Sequence, residues 1–214
     1  MPNSSIHPTK RVLLETVIKL LETKEPNEIL SDEVLEISGI SKGSMYYHYK
    51  DWYEIIEDAI CERFGYYVDR SVEMCEYAMR NANNRDDLVL LLKNVTRETQ
   101  KPEQMGVRYG RIRAIALASQ SDRMKQKLGA VQERLTQALE DLFRESQERD
   151  WASKEINPRA AAVLVQAYTF GHVVDDFTPD HMKPEDWLTL SFRRGIKFRN
   201  RRQVILLGTF MHPS

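Results

Sequence analysis

In the first sixty residues apolar side chains recur at intervals of three and four, the spacing that gathers them on one face of an α-helix. Over 10–23, Leu14, Val17, Ile18 and Leu21 form one stripe, with Thr9 placed as N-cap and Pro26 just beyond the end. Ser31 is placed to cap a short second helix carrying Val34, Leu35 and Ile37. Asp32 and Glu33 in its first turn suit the positive end of the dipole, and Gly39 stops it. The turn Gly39-Ile40-Ser41 then opens a third short helix over 42–49. On a helical wheel Met45 and Tyr49 point one way and Gly43, Ser44, Tyr47 and His48 the other, with Tyr46 near the inner face. Asp51 is the expected N-cap of a long fourth helix whose apolar positions are Trp52, Ile55, Ile56, Ala59 and Ile60.

Beyond it the same periodicity predicts helices over 86–100, 103–120, 122–149, 158–177 and 184–199, separated by Pro102, Asp122, Pro158 and the loop from Thr178 to Pro184. The 122–149 segment is the most one-sided, with Met124, Leu128, Val131, Leu135, Ala138 and Leu142 set amid charge. The expected class is all-α. A three-helix head occupies 1–51, a larger helical body 52–200, and a tail 201–214, whose apolar run Val204-Ile205-Leu206-Leu207 has no assigned place. No apolar run approaches the roughly 18 residues of a membrane span, and the first ten residues lack a signal-peptide core, so a soluble, cytoplasmic protein is expected. Cys61 and Cys75 fall in one helix, too far apart to bridge, and read as buried thiols in a reducing compartment.

Charge first complicates the picture. The net charge is −1, and the first sixty residues hold Lys10, Arg11, Lys19, Lys24, Lys42 and Lys50 against eleven carboxylates. Bulk charge therefore argues mildly against a nucleic-acid partner, and placement must decide. Two short helices joined by a glycine-bearing turn form a helix-turn-helix pattern, whose second helix enters the DNA major groove. The outer face of 42–49 suits that task. Gly43 allows close backbone approach to a phosphate, Lys42 and Lys50 supply charge, and Ser41, Ser44, Tyr47 and His48 offer hydrogen bonds.

The stretch 29–56, above all Ser38-Gly39-Ile40-Ser41-Lys42-Gly43-Ser44-Met45-Tyr46-Tyr47-His48-Tyr49, resembles the DNA-binding motif of the TetR family of transcriptional regulators. The resemblance implies three DNA-binding helices, a linking fourth, and a body that binds a small-molecule effector and dimerises. It implies that Lys42, Ser44, Tyr46, Tyr47 and His48 touch phosphates or base edges of a palindromic operator, with Met45 and Tyr49 in the core. One departure stands out: Trp52 occupies a position where members of the family often carry a phosphate-gripping lysine, and Lys50 is the nearest substitute.

In the body, Arg108, Arg111 and Arg113 beside Tyr109 are candidates to line a pocket for an acidic effector, with Trp151, Tyr168, Phe170 and His172 as further lining. His172 with Asp175 or Asp176 has helical metal-ligand spacing, but a third ligand is lacking and no metal is expected. The segments 158–177 and 184–199 carry more apolar surface than one partner helix can cover, which predicts a homodimer through these last two helices. The alternatives are an all-α enzyme and a helix-turn-helix protein acting through protein contacts alone. For the first, no paired Glu-x-x-His motif, phosphate loop or Cys/His cluster is present, and no cofactor or catalytic residue is expected.

Overall fold

A computed structural model describes residues 6–192, together with the backbone of Ile196–Lys197 and Gln203–Val204. The first helix, α1 (Pro8–Leu20), begins and ends earlier than the apolar stripe suggested. Its N-cap is His7, not Thr9: the His7 Nδ1 accepts the Thr9 N–H at 3.2 Å, and Pro8 fills the first helical position, where its missing donor costs nothing. After a 3₁₀ turn at Pro26–Glu28 comes α2 (Ser31–Ser38). Here Ser31 is already helical, and Leu30 precedes it without a side-chain capping bond. Gly39 ends α2 with φ +68°, a left-handed conformation that a glycine reaches without a Cβ clash.

Ser41 caps α3 (Lys42–His48), its Oγ accepting the Ser44 N–H at 3.2 Å, and Asp51 caps α4 (Trp52–Asn81) through the Glu54 N–H at 3.0 Å. The head core joins Leu13, Val17, Val34, Met45 and Tyr49 to Ile55, Ile56 and Ala59, so it draws on the first turns of α4 beyond residue 51. At 30 residues α4 is about 45 Å long and carries the chain from head to body.

The body comprises α5 (Arg85–Thr99), α6 (Met105–Ala118), α7 (Asp122–Glu148), α8 (Pro158–Gly171), the single turn α9 (Val173–Asp176) and α10 (Pro184–Ser191). Helices α4 and α7 run along each other around Phe64, Val68, Ala78, Leu135 and Phe143, with α8 against α7 and α5 against α4. A left-handed Asp150, φ 57°, reverses the chain after α7 and lets the Trp151 and Ala152 N–H groups close on the Ser146 carbonyl.

Two helix predictions need correction. The 158–177 segment is interrupted at His172, where the N–H of Asp175 returns to the His172 carbonyl in a tighter turn next to Gly171. The 184–199 segment stops at Ser191, and the backbone of Ile196–Lys197 pairs antiparallel with Gln203–Val204 in a two-residue ladder. Gly195, the poorest helix former after proline, stands between. Beyond Val204 the apolar run, and most of the 201–214 tail, lie outside the described residues. The architecture remains all-α. Cys61 and Cys75 are unpaired and buried, and burial pushes their thiols up to about 11 and about 12. No helix among the described residues is long and apolar enough to cross a membrane.

Candidate functional site

The short helix α3 is anchored from one side. Met45 is fully buried and Tyr49 nearly so, while Ser41, Lys42, Gly43, Tyr46, Tyr47 and Lys50 are exposed and Ser44 and His48 half-exposed. All eight sequence-predicted contact residues thus lie together on the uncovered side of the head. Tyr47 is 84% exposed and Tyr46 48%, so Tyr46 is an outer residue, contrary to the wheel projection. In so short a helix only the Met45–Tyr49 edge meets the core, and the flank beside it stays open. The His48 ring lies 4.4 Å from that of His7, and Tyr47 sits edge-on to it at 5.0 Å. Desolvation, then the neighbouring His7 and Lys10, lower the His48 pKa.

Part of the acidity of the first sixty residues is engaged in ion pairs. On α4, Glu54, Glu57 and Asp58 all pair with Arg123 of α7, at 3.5, 2.8 and 2.6 Å, and Asp58 also meets Lys127. Glu25 pairs with Arg113 of α6, Glu33 with Lys24 at 2.6 Å, and Glu62 with Arg11 at 2.5 Å. Four of the eleven carboxylates, Glu25, Glu54, Glu57 and Asp58, thus serve as the head's attachment to the body.

The body candidates separate. The Arg108 guanidinium is buried and bidentate to Asp176 at 2.6 and 2.8 Å, with a third bond to the Lys101 carbonyl at 3.0 Å, so it is a strut between α6 and α9. Tyr109 stacks on Phe177 with centroids 5.1 Å apart, and Arg113 belongs to the head contact. Trp151 lies under the Arg149 guanidinium at 4.9 Å, and His172 is buried edge-on to Trp187 at 4.9 Å. A cavity of about 130 Å³ opens between α4, α5, α7 and α8. Of the eight predicted lining residues Arg111 and Tyr168 reach it, and the other six do not. Arg111 is held between the rings of Phe170 and Phe64 at 4.7 and 5.5 Å, where burial lowers its pKa to about 10. Among the described residues no cluster of three or more His, Cys, Asp or Glu could hold a metal ion.

No protein-family model and no curated protein matches the sequence. Solved structures do. A protein from Rhodococcus sp., provisionally assigned to the TetR family of transcriptional regulators, aligns over 85% of this chain and 93% of its own at 19% identity and a TM-score of 0.59. Another so assigned, from Mesorhizobium loti, covers 84% and 89% at 13% identity and a TM-score of 0.62. AibR, in complex with isovaleryl coenzyme A and operator DNA, covers 85% and 96% at 13% identity and a TM-score of 0.50. The chain has the TetR-family fold.

Within that TetR-type fold two residues join the outer face of the head that periodicity did not single out. Tyr53 is 76% exposed at the start of α4, and His7 reaches the face through its tilted ring contact with His48. Tyr53 was legible as an outward position two residues after the Asp51 cap; His7 was not, because its contact depends on how α1 crosses α3. Trp52 is half-buried and packs against the head core, so its indole has a structural use in place of a lysine.

Proposed function

We propose that the chain is a ligand-responsive transcriptional regulator, a repressor that binds a palindromic operator in double-stranded DNA as a homodimer in the cytoplasm, with 1–51 as reading head and 52–200 as sensing and dimerising body. The observation that carries it is the uncovered face of α3, where Lys42, Ser44, Tyr46, Tyr47 and His48 stand together over a helix anchored by Met45. Lys42, Lys50 and Ser41 are suited to phosphates, and Tyr47 and His48 to base edges. AibR, of the same fold, holds both a thioester ligand and operator DNA, which favours a sensing body behind a reading head here as well.

Dimerisation has its own support. Val163, Leu164 and Ala167 on α8, Val174 on α9, Phe177, and Leu190 on α10 are apolar and exposed. Several large apolar groups on one end of the body favour a covering partner, and a second copy makes a self-complementary interface. The two recognition helices would then have to stand about 34–36 Å apart to enter successive major grooves. Ligand and operator would act on one equilibrium, each shifting it by its differential affinity for the two forms. A gel shift with the DNA upstream of the chain's own gene tests the proposal: a specific, competitor-resistant complex is expected, and its absence across such DNA overturns the regulatory function. Light scattering should give twice the chain mass at micromolar concentration, and a monomer insensitive to salt would remove the dimer.

A further inference from the structure

We propose that the body cavity binds a small monocarboxylate of about six to nine non-hydrogen atoms, its carboxylate on the guanidinium of Arg111 and its apolar part against Leu92, Leu139 and Phe143. The proposal rests on the sensing role above and names the class of ligand sensed. Its first support is the charge of the wall: among the described residues that line the cavity, Arg111 is the one charged side chain and no carboxylate faces it. The second is the contrast with Arg108, one helical turn earlier. Arg108 is held by a carboxylate and a carbonyl, whereas Arg111 lies between two aromatic faces near Tyr67, no carboxylate among the described residues pairs with it, and its buried Nε has no acceptor. Ring faces offset part of the cost of desolvating a cation, but a carboxylate in the same place offsets far more through paired, charge-assisted hydrogen bonds.

A third observation comes from α5. Gln100 belongs to the same wall, it is buried, and neither its Oε1 nor its Nε2 has a partner. Buried polar atoms without partners are rare in folded proteins, and here an arginine nitrogen and a carboxamide lie around one cavity. A carboxylate can take both the guanidinium and the amide N–H. Size limits the rest of the ligand: a cavity of about 150 Å³ accepts benzene, so about 130 Å³ admits an aromatic ring or a short branched chain and not a nucleotide. A neutral ligand would leave the cation unpaired, and a dianion would bring more charge than this wall matches.

Arg111 also lines a second, smaller cavity of about 40 Å³ with Leu21, Lys24 and Pro26 of the head, and Arg113, two residues on, holds Glu25. A carboxylate that draws Arg111 toward the larger cavity therefore pulls on the seam between α6 and the head. This gives the ligand a route to the operator affinity.

The test uses the full chain without DNA. Calorimetric titration with benzoate, pentanoate and hexanoate is compared with benzamide, pentanamide and hexanamide. At least one acid should bind at least tenfold more tightly than its amide, and Arg111→Gln should lose that tenfold preference while leaving amide binding unchanged. Arg111→Met should raise the Tm of the ligand-free protein by a few degrees, because it removes a half-buried cation without a counterion and keeps its bulk. Equal binding of acid and amide, unchanged acid affinity in Arg111→Gln, or no binding of any acid overturns the proposal. A large fall in Tm in Arg111→Met also overturns it, by making the arginine a structural strut. If Arg111→Gln fails to fold, the acid and amide comparison on the natural chain decides. Because these measurements contain no DNA, a failed gel shift with intact acid binding would sink the regulatory function and leave the carboxylate site standing, and the reverse result would do the opposite.

Discussion

Truncating two residues two positions apart on α3 should produce opposite phenotypes. Met45 is 0% exposed, and Met45→Ala removes three heavy atoms worth about 0.8 kcal/mol each in transfer, plus the cost of the cavity left behind. The total is on the order of 2–5 kcal/mol, drawn from a head whose core is small, so DNA binding should fail through loss of the folded head. Tyr47 is 84% exposed, and Tyr47→Ala should change stability by less than about 0.5 kcal/mol. What it should remove is about 1–3 kcal/mol of discrimination in each half-site. Lys42→Ala supplies the contrast on the same face: binding should weaken alike for all sequences, with the salt slope reduced by about one per protomer. Urea denaturation followed by tryptophan emission measures the first effect, and fluorescence anisotropy at two salt concentrations the others. If Tyr47→Ala and Lys42→Ala both leave operator binding unchanged, or Met45→Ala leaves stability unchanged, α3 does not occupy the major groove in the way its exposure suggests.

The head was legible because its signals are local. Apolar spacing, the caps at Ser41 and Asp51 and the left-handed Gly39 all lie within a few residues of the helices they bound. Errors arose where two local signals competed, as at the start of α1, where Thr9 is a good cap but Pro8 at the first helical position moves the cap to His7. The body was legible as helices and opaque as a site. Nothing near Arg108 or Arg111 says which is paired, since the Asp176 that occupies Arg108 lies in α9, far along the chain. The charge count misled for the same reason: Glu54, Glu57 and Asp58 look like a liability until Arg123 of α7 is seen between them. The wrong length for α10 had a visible warning in Gly195, outweighed by the run of apolar residues around it.

Further outcomes follow from contacts outside the reading face. Asp150→Gly should stabilise the protein by about 0.5–1 kcal/mol in urea denaturation, because Asp150 is held at φ 57° and glycine reaches that region freely; an unchanged midpoint would mean that the strain is already relieved by its neighbours. His172 has its pKa lowered by burial and then by Arg108, against the opposing Asp176 and Asp175, with the Trp187 ring covering its edge. The unfolded chain therefore takes up a proton that the folded one refuses, and stability should fall as pH drops from about 6.5 toward the lowered pKa, by at most about 1.4 kcal/mol per pH unit. The His172→Gln chain should show a shallower fall over that window, and parallel curves would place the proton elsewhere. Arg123 ties Glu54, Glu57 and Asp58 to α7 at a partly exposed site, where each pair contributes less than about 1 kcal/mol after solvent screening. Arg123→Ala leaves Glu54 and Glu57 without that cation and Asp58 with Lys127 alone, so stability should drop by about 1–2 kcal/mol and the loss should shrink in high salt. The same cluster holds the start of α4 against the body, so the variant should also weaken the linkage between carboxylate binding and operator release while each ligand still binds alone; full linkage in Arg123→Ala would mean that the signal passes through α6 and Arg113 only.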